Sequence, residues 1–369
     1  MTAAAVPGAT PPGATTLESA VAAIAAGAAA RDAQLHPRFP RDAFCTLRAG
    51  GALRWNATVG RQRPPAADEL ALVRRVAAAD GSVGRIFDGH LNAIERLAVH
   101  APADVRERER QAAIAGTLLA GVWGGDPVPG EGPPAAVVGS GRRQVLRGVK
   151  TFCSGAGGCN RALVLARPSP DPDAGPPVMV WVDALDARHV LIDETWYRAH
   201  GLRASVSHRV VFRDAPVIAM IGEPGAIAEQ PWFGRDALRT AASWAGMADT
   251  AVEAALDALR ARPRRGELEA LAAGRILAAQ RTIDVWLAAG ARAMDRAEAH
   301  LAETALFART AIADACRALL DEAARACGSR PFALAEDLDR ARRDLELFML
   351  QHRLEPLLAR AGEAALERT

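Results

Sequence analysis

A β-forming stretch set between two helical blocks constrains this chain more than any other feature. Residues 143–167 read RQVLRGVKTFCSGAGGCNRALVLAR. Val145, Gly148, Lys150 and Phe152 lead into the small-residue turn Ser154-Gly155-Ala156-Gly157-Gly158. The unbroken apolar run 162–166 then suits a buried strand. Further short strands are expected at 135–138, 178–182, 190–192 and 205–212, with Asp214-Ala215-Pro216 ending the sheet. Many short strands separated by turns predict an antiparallel sandwich or barrel.

On either side the chain is helical. Thr15 and Thr16 precede a helix with Glu18 in its first turn, which favours the dipole. Arg41 starts a short helix that stops at Gly50-Gly51, and Pro64-Pro65 opens one with Leu70, Leu72, Val73 and Val76 on its apolar face. Further helices are expected after the Asp80-Gly81 break and from Pro102. From Trp232 helical patterns run to about 262, then over 268–299 and 305–327, and again from Asp337. Long helices with short connections predict an antiparallel four-helix bundle. The expected organisation is α+β: a disordered tail at 1–14, an N-terminal helical domain at 15–115, a middle β domain at 116–228 and a C-terminal bundle at 229–369.

Composition removes several classes of function. A net charge of +2, with Arg interleaved among Asp and Glu, gives no electrostatic case for nucleic acid. The cysteines Cys45, Cys153, Cys159, Cys316 and Cys327 form no CxxC pair, so no metal site is expected and reduced thiols in a cytoplasmic protein are. The start lacks the basic and long apolar regions of a signal peptide. The Ala-rich run after Ser19 is too short and weakly apolar to span a membrane. Lys150, inside the β stretch, is the sole lysine.

The order helical block, β block, bundle resembles the acyl-CoA dehydrogenase family. LRGVKTFCSGAGGCNRALVLAR is similar to its middle-domain segment, in which a Gly-x-Lys strand leads to an aromatic and a Ser/Thr. SHRVVFRDAPV, residues 207–217, resembles its Phe-x-Asp-x-x-Val-Pro strand, with the proline displaced by one. Trp244-Ala245-Gly246-Met247-Ala248 through Arg262 resembles its first long bundle helix, and residues 328–344 its Gly-rich turn and Arg-Asp pair.

The resemblance implies a flavin, FAD or alternatively FMN, and a homodimer or homotetramer built through the bundle. It implies Phe152 against the isoalloxazine, Ser154 at the flavin edge near N5, and Trp123 and Gly124 on a flavin-facing loop. Arg262, Gly328 and Ser329 fall where the family meets FAD phosphates across the dimer. An aromatic wall and forked Arg donors suit those tasks.

The family reaction is α,β-dehydrogenation of an acyl-CoA, with a carboxylate taking the α-proton and an electron-transfer partner reoxidising the flavin. The usual Glu position is His352 here, while Asp236 stands at the alternative position on the first bundle helix. His90 and His352 also suit flavin monooxygenases of the same fold, supplied with reduced flavin by a reductase. The leading expectation is the dehydrogenase with Asp236 as base. The alternatives are a monooxygenase using His90 and His352, and a catalytically degenerate homologue.

Overall fold

The computed structural model describes residues 15–57, 63–351 and 353–367. Five helices come first: α1 (Leu17–Asp32), α2 (Arg41–Ala49), α3 (Ala66–Ala79), α4 (Gly81–His100) and α5 (Ala103–Ile114). Thr16 caps α1 by accepting the Ser19 N–H at 3.1 Å. Asp80 both ends α3 and caps α4, accepting the Val83 N–H at 3.1 Å, so the two helices join without a loop.

Seven strands follow: β1 (Ala120–Trp123), β2 (Ala136–Val138), β3 (Val145–Cys153), β4 (Arg161–Ala166), β5 (Val178–Asp183), β6 (Val190–Asp193) and β7 (His208–Ile221). Their order is β1-β4-β5-β7-β3-β2, with β6 also on β7. The sheet is mixed rather than antiparallel throughout, because β1 runs parallel to β4.

The sheet also does not end at Pro216. β7 continues to Ile221, pairing with β3 and β6 through its first half and with β5 through its second. Asp214, φ 52°, falls at a register shift of the β3 ladder between Phe212 and Ala215, and the change of partner to β5 comes after Pro216, at Val217. Pro216 is opposite Val145 at the end of the β3 ladder, where a missing N–H costs little.

The bundle is α6 (Trp232–Arg260), α7 (Glu267–Asp295), α8 (Leu301–Cys327) and α10 (Asp337–Met349), with the single turn α9 (Arg330–Ala333) before the last of these. The chain continues into α11 (Glu355–Leu366), a helix with no buried residue. α3 packs on α6 so closely that a Cβ on Gly246 would strike the Arg74 carbonyl oxygen. The apolar faces of α1–α4 and of α6–α8 and α10 thereby merge into one core, while β1–β7 enclose a second.

Candidate functional site

The ladder between β3 and β7 breaks register between Lys150 and Cys153. Phe152 falls in this break with φ 53°, in the left-handed region that costs a non-glycine residue about 1–2 kcal/mol. Its ring is turned outward and 57% of the residue is exposed. It rests edge-on against Trp196, centroids 4.9 Å apart at 83°. The strained backbone thus presents a large aromatic to the outside rather than to the core.

Beside Phe152, Gly124 is exposed, and a Cβ there would meet nothing closer than Leu165 at 3.8 Å. Its carbonyl accepts from Lys150 Nζ at 3.2 Å, and Lys150 also bonds Asp126 at 2.7 Å, which ties this loop to β3. The sole lysine is thus a loop anchor. Trp123 differs from the sequence expectation. It is fully buried in the β core against Phe212, and its Nε1–H donates to the Ser154 carbonyl at 3.0 Å. Its ring lines no surface; it holds the Ser154 turn in place.

Ser154 is buried, and its hydroxyl lies 2.8 Å from that of Ser207, itself 2.8 Å from that of Ser205. The Tyr197 hydroxyl donates to the Gly201 carbonyl at 3.2 Å and to the Leu202 carbonyl at 3.4 Å. None of Ser205, Ser207 and Tyr197 was singled out from sequence as a site residue. The available signals were the alternation Ser205-x-Ser207 entering a strand and the singularity of Tyr197, the chain's one tyrosine.

Tyr197 and His208 line a cavity of about 930 Å³ between the end of α1, the 194–208 segment and the start of α10. His208 packs edge-on to Tyr197, centroids 6.4 Å apart. It is only 7% exposed, and its Nδ1 has no hydrogen-bond partner among the described residues. Burial depresses its pKa more than Glu194 and Asp193 raise it, so the ring is held neutral. Across the cavity Arg343 pairs with Asp32 at 2.7 Å and Asp339 at 2.8 Å. At its rim a Cβ on Gly201 would collide with the Arg343 backbone.

Asp236 occupies a different place. It lies on α6 among buried charges from α3 and α4, where Arg235 and Arg239 bind Glu69 and Glu95. Asp236 Oδ2 is 2.5 Å from Arg96 and Oδ1 is 3.1 Å from Arg239. Burial lifts its pKa to about 6 against the opposing pull of the two guanidiniums. Arg96 also donates to the Ile227 carbonyl at 3.0 Å, joining this cluster to the segment that enters the bundle.

His90 is likewise not pocket-facing. It is fully buried, its Nε2 donates to the Leu53 carbonyl at 2.8 Å and its Nδ1 accepts the Ala120 N–H at 3.2 Å. Burial holds its pKa at about 4, so a neutral ring bridges two backbone groups and has no nitrogen to spare. Arg262 bonds Glu269 at 2.7 Å and the Ala326 carbonyl, binding the α6–α7 turn to the end of α8. Gly328, φ 72°, has open space at its Cβ position, and Ser329 precedes α9 without a side-chain capping bond. His352 lies outside the described residues.

No protein-family model matches this sequence, and no curated protein matches it. Solved structures do match over nearly the whole chain. FMN-bound TdsC of Paenibacillus sp. A11-2, a dibenzothiophene monooxygenase, is 18% identical with a TM-score of 0.83, covering 96% of each chain. Methanesulfinate monooxygenase MsuC of Pseudomonas fluorescens is 20% identical with a TM-score of 0.80 over 97% of each chain. Butyryl-CoA dehydrogenase of Megasphaera elsdenii is 17% identical with a TM-score of 0.83, over 95% of this chain and 97% of that one. The chain has the acyl-CoA dehydrogenase-like fold.

Proposed function

We propose that this acyl-CoA dehydrogenase-fold chain binds a flavin against Phe152 and works as a flavin-dependent monooxygenase on a small molecule. The observation that carries the choice of reaction is the engagement of Asp236 by both Arg96 and Arg239. A carboxylate held by two buried guanidiniums is a poor acceptor for a carbon-bound proton. The other family position for a base is occupied by His352. FMN-bound TdsC supports FMN as the cofactor. So does Arg262, whose guanidinium is bonded within the chain to Glu269 and the Ala326 carbonyl.

The residues present fit a flavin ring. Phe152 offers an exposed aromatic wall, and Gly124 leaves the adjoining space open. Reduced flavin, delivered by a reductase, supplies the two electrons with which one atom of O2 enters the substrate and the other leaves as water. In this reading Phe152 excludes water from one side of the ring and Ser154 presents a hydroxyl at its edge. Trp123 fixes the direction of that hydroxyl through the Ser154 carbonyl. The cavity beside Tyr197 and His208 takes the substrate, and neutral His208 accepts or returns a proton there. Assembly through the bundle, as a homodimer or homotetramer, belongs to the same proposal.

A second reading, dehydrogenation of an acyl thioester with Asp236 as base, is favoured by its pKa of about 6, which is poised for proton transfer. One experiment separates the two. The FMN-loaded protein is mixed anaerobically with acyl-CoAs, and separately supplied with reduced FMN, O2 and a panel of aromatic and organosulfur compounds. Oxygen incorporated from labelled O2 into a product, without anaerobic bleaching, is the expected result. Bleaching by an acyl-CoA overturns the monooxygenase reading.

A further inference from the structure

Arg309 of α8 is 5% exposed, and its Nε and Nη2 have no hydrogen-bond partner among the described residues. These two nitrogens are the parallel donors of one guanidinium edge. Elsewhere in the chain the same edge holds a carboxylate. Arg74 Nε and Nη2 grip Asp249 at 2.6 and 2.7 Å, and Arg110 and Arg188 grip Glu107 and Asp186 in the same way. Arg309 instead stands over the Trp244 ring of α6, its Cζ 5.0 Å from the centroid. A ring face attracts the cation but gives its edge no acceptor. Trp244 adds a third donor of this kind: it is 0% exposed, and its Nε1 also has no partner among the described residues. Buried donors without acceptors are rare in folded chains, because each forfeits its bonds to water.

The chain's own carboxylates do not neutralise this guanidinium. The one whose charge reaches Arg309 is Asp88 of α4, and it is committed elsewhere. Arg85 lies 3.9 Å from it, and Thr240 and Asn92 each donate to it at 3.2 Å. Arg85 in turn stands over the Phe348 ring at 5.2 Å, and Phe348 meets Trp244 edge-on, centroids 6.3 Å apart. Two guanidiniums and one carboxylate thus share an aromatic setting between α4, α6, α8 and α10, with one positive charge unmatched. Burial accordingly lowers the Arg309 pKa to about 10.

We propose that the Nε–Nη2 edge of Arg309, with Trp244 Nε1 beside it, binds the carboxylate of a small organic acid. A monoanion matches the one unmatched charge, and a planar group with two oxygens matches the fork. Arg309 and Trp244 are too deeply buried to meet a protein partner or a lipid surface. The Trp244 and Phe348 rings give the ligand's carbon skeleton an apolar setting. The site does not depend on the flavin reading.

Acetate is the probe, with acetamide as its neutral counterpart and chloride as the control for ionic strength. In the purified full-length protein, labelled with 15N at the tryptophan indoles, the Trp244 resonance is the one absent from Trp244→Phe. Acetate is expected to shift it saturably, while acetamide and chloride at equal concentration leave it in place. The shift should be absent in Arg309→Met. In Arg309→Lys, which keeps the charge and loses the fork, it should need about tenfold more acetate. Without acetate, Arg309→Met should melt no lower than the wild type, because methionine fills a similar volume without an unmatched buried charge. A wild-type resonance that acetate does not move, or that chloride or acetamide moves as far, overturns the site. So does a shift that survives in Arg309→Met, or an acetate affinity unchanged in Arg309→Lys. A lower melting temperature for Arg309→Met, or its failure to fold, makes this arginine a support of the fold and overturns the site as well. None of these outcomes bears on flavin binding.

Discussion

Asp236 Oδ2 lies 2.5 Å from the Arg96 guanidinium, and the same carboxylate reaches Arg239 at 3.1 Å. This pairing turns the best sequence candidate for a base into part of a charge cluster. Removing it leaves the buried Arg96 guanidinium without its carboxylate, while Arg239 keeps Glu69 and Glu95. Asp236→Ala is therefore expected to lower stability by about 2–4 kcal/mol, read from chemical denaturation. Asp236→Asn is expected to cost less and to keep oxygen incorporation. Loss of all turnover in Asp236→Asn, with fold and FMN affinity intact, would favour the dehydrogenase instead.

Phe152 is expected to behave unlike a core phenylalanine. Truncating a buried Phe typically costs about 3–5 kcal/mol. Phe152→Gly instead relieves left-handed strain of about 1–2 kcal/mol and gives up a Trp196 contact worth about 0.5–1.5 kcal/mol. The two nearly cancel, so stability should stay within about 1 kcal/mol of the wild type by denaturant titration. A loss of several kcal/mol would show that the ring supports the fold.

Asp344 provides a pH signature. Burial lifts its pKa to about 7 even though the Leu202 N–H donates to it at 2.5 Å. Because the folded value lies above the ordinary carboxylate range, the native state holds a proton that the unfolded chain has already lost between about pH 4 and 7. The stability contribution of this group therefore falls as pH rises through that window and is level above it. Asp344→Asn keeps an oxygen for Leu202 and cannot ionise. Its stability between pH 4 and 7 should decline less than that of the wild type; parallel curves would refute the assignment.

His90→Ala tests the bridging role. It leaves the Leu53 carbonyl and the Ala120 N–H unpaired in the core, which should cost about 2–4 kcal/mol in thermal or denaturant unfolding. FMN affinity should be unchanged. A stable variant with impaired flavin chemistry would return His90 to the list of catalytic residues.

The helices and most strands were legible because their signals are local. Apolar spacing, the Asp80 cap and the Pro64-Pro65 start belong to neighbours in sequence. What failed was long-range. Nothing near His90 announces that Leu53 and Ala120 will take both its nitrogens, and nothing near Asp236 announces Arg96, 140 positions away. The resemblance implies Trp123 on a flavin-facing loop, whereas its ring is buried in the β core. The pattern of β1, in which its first, second and fourth residues are buried, holds the correction. Pro216 reads as a strand end because proline usually is one, whereas here it closes the β3 ladder and the strand passes to β5 from Val217 on. The turn that carries Phe152 and Ser154 is legible because their neighbours in sequence are also their neighbours in space.

The central claim is that a flavin covers Phe152, and titration of FMN into the purified protein, with its fluorescence as readout, tests this most directly. The account predicts saturable quenching by the wild type, an affinity for Phe152→Gly weaker by about tenfold, and no loss in Arg262→Ala. Absence of saturable quenching in the wild type, or equal affinity in Phe152→Gly, would contradict it.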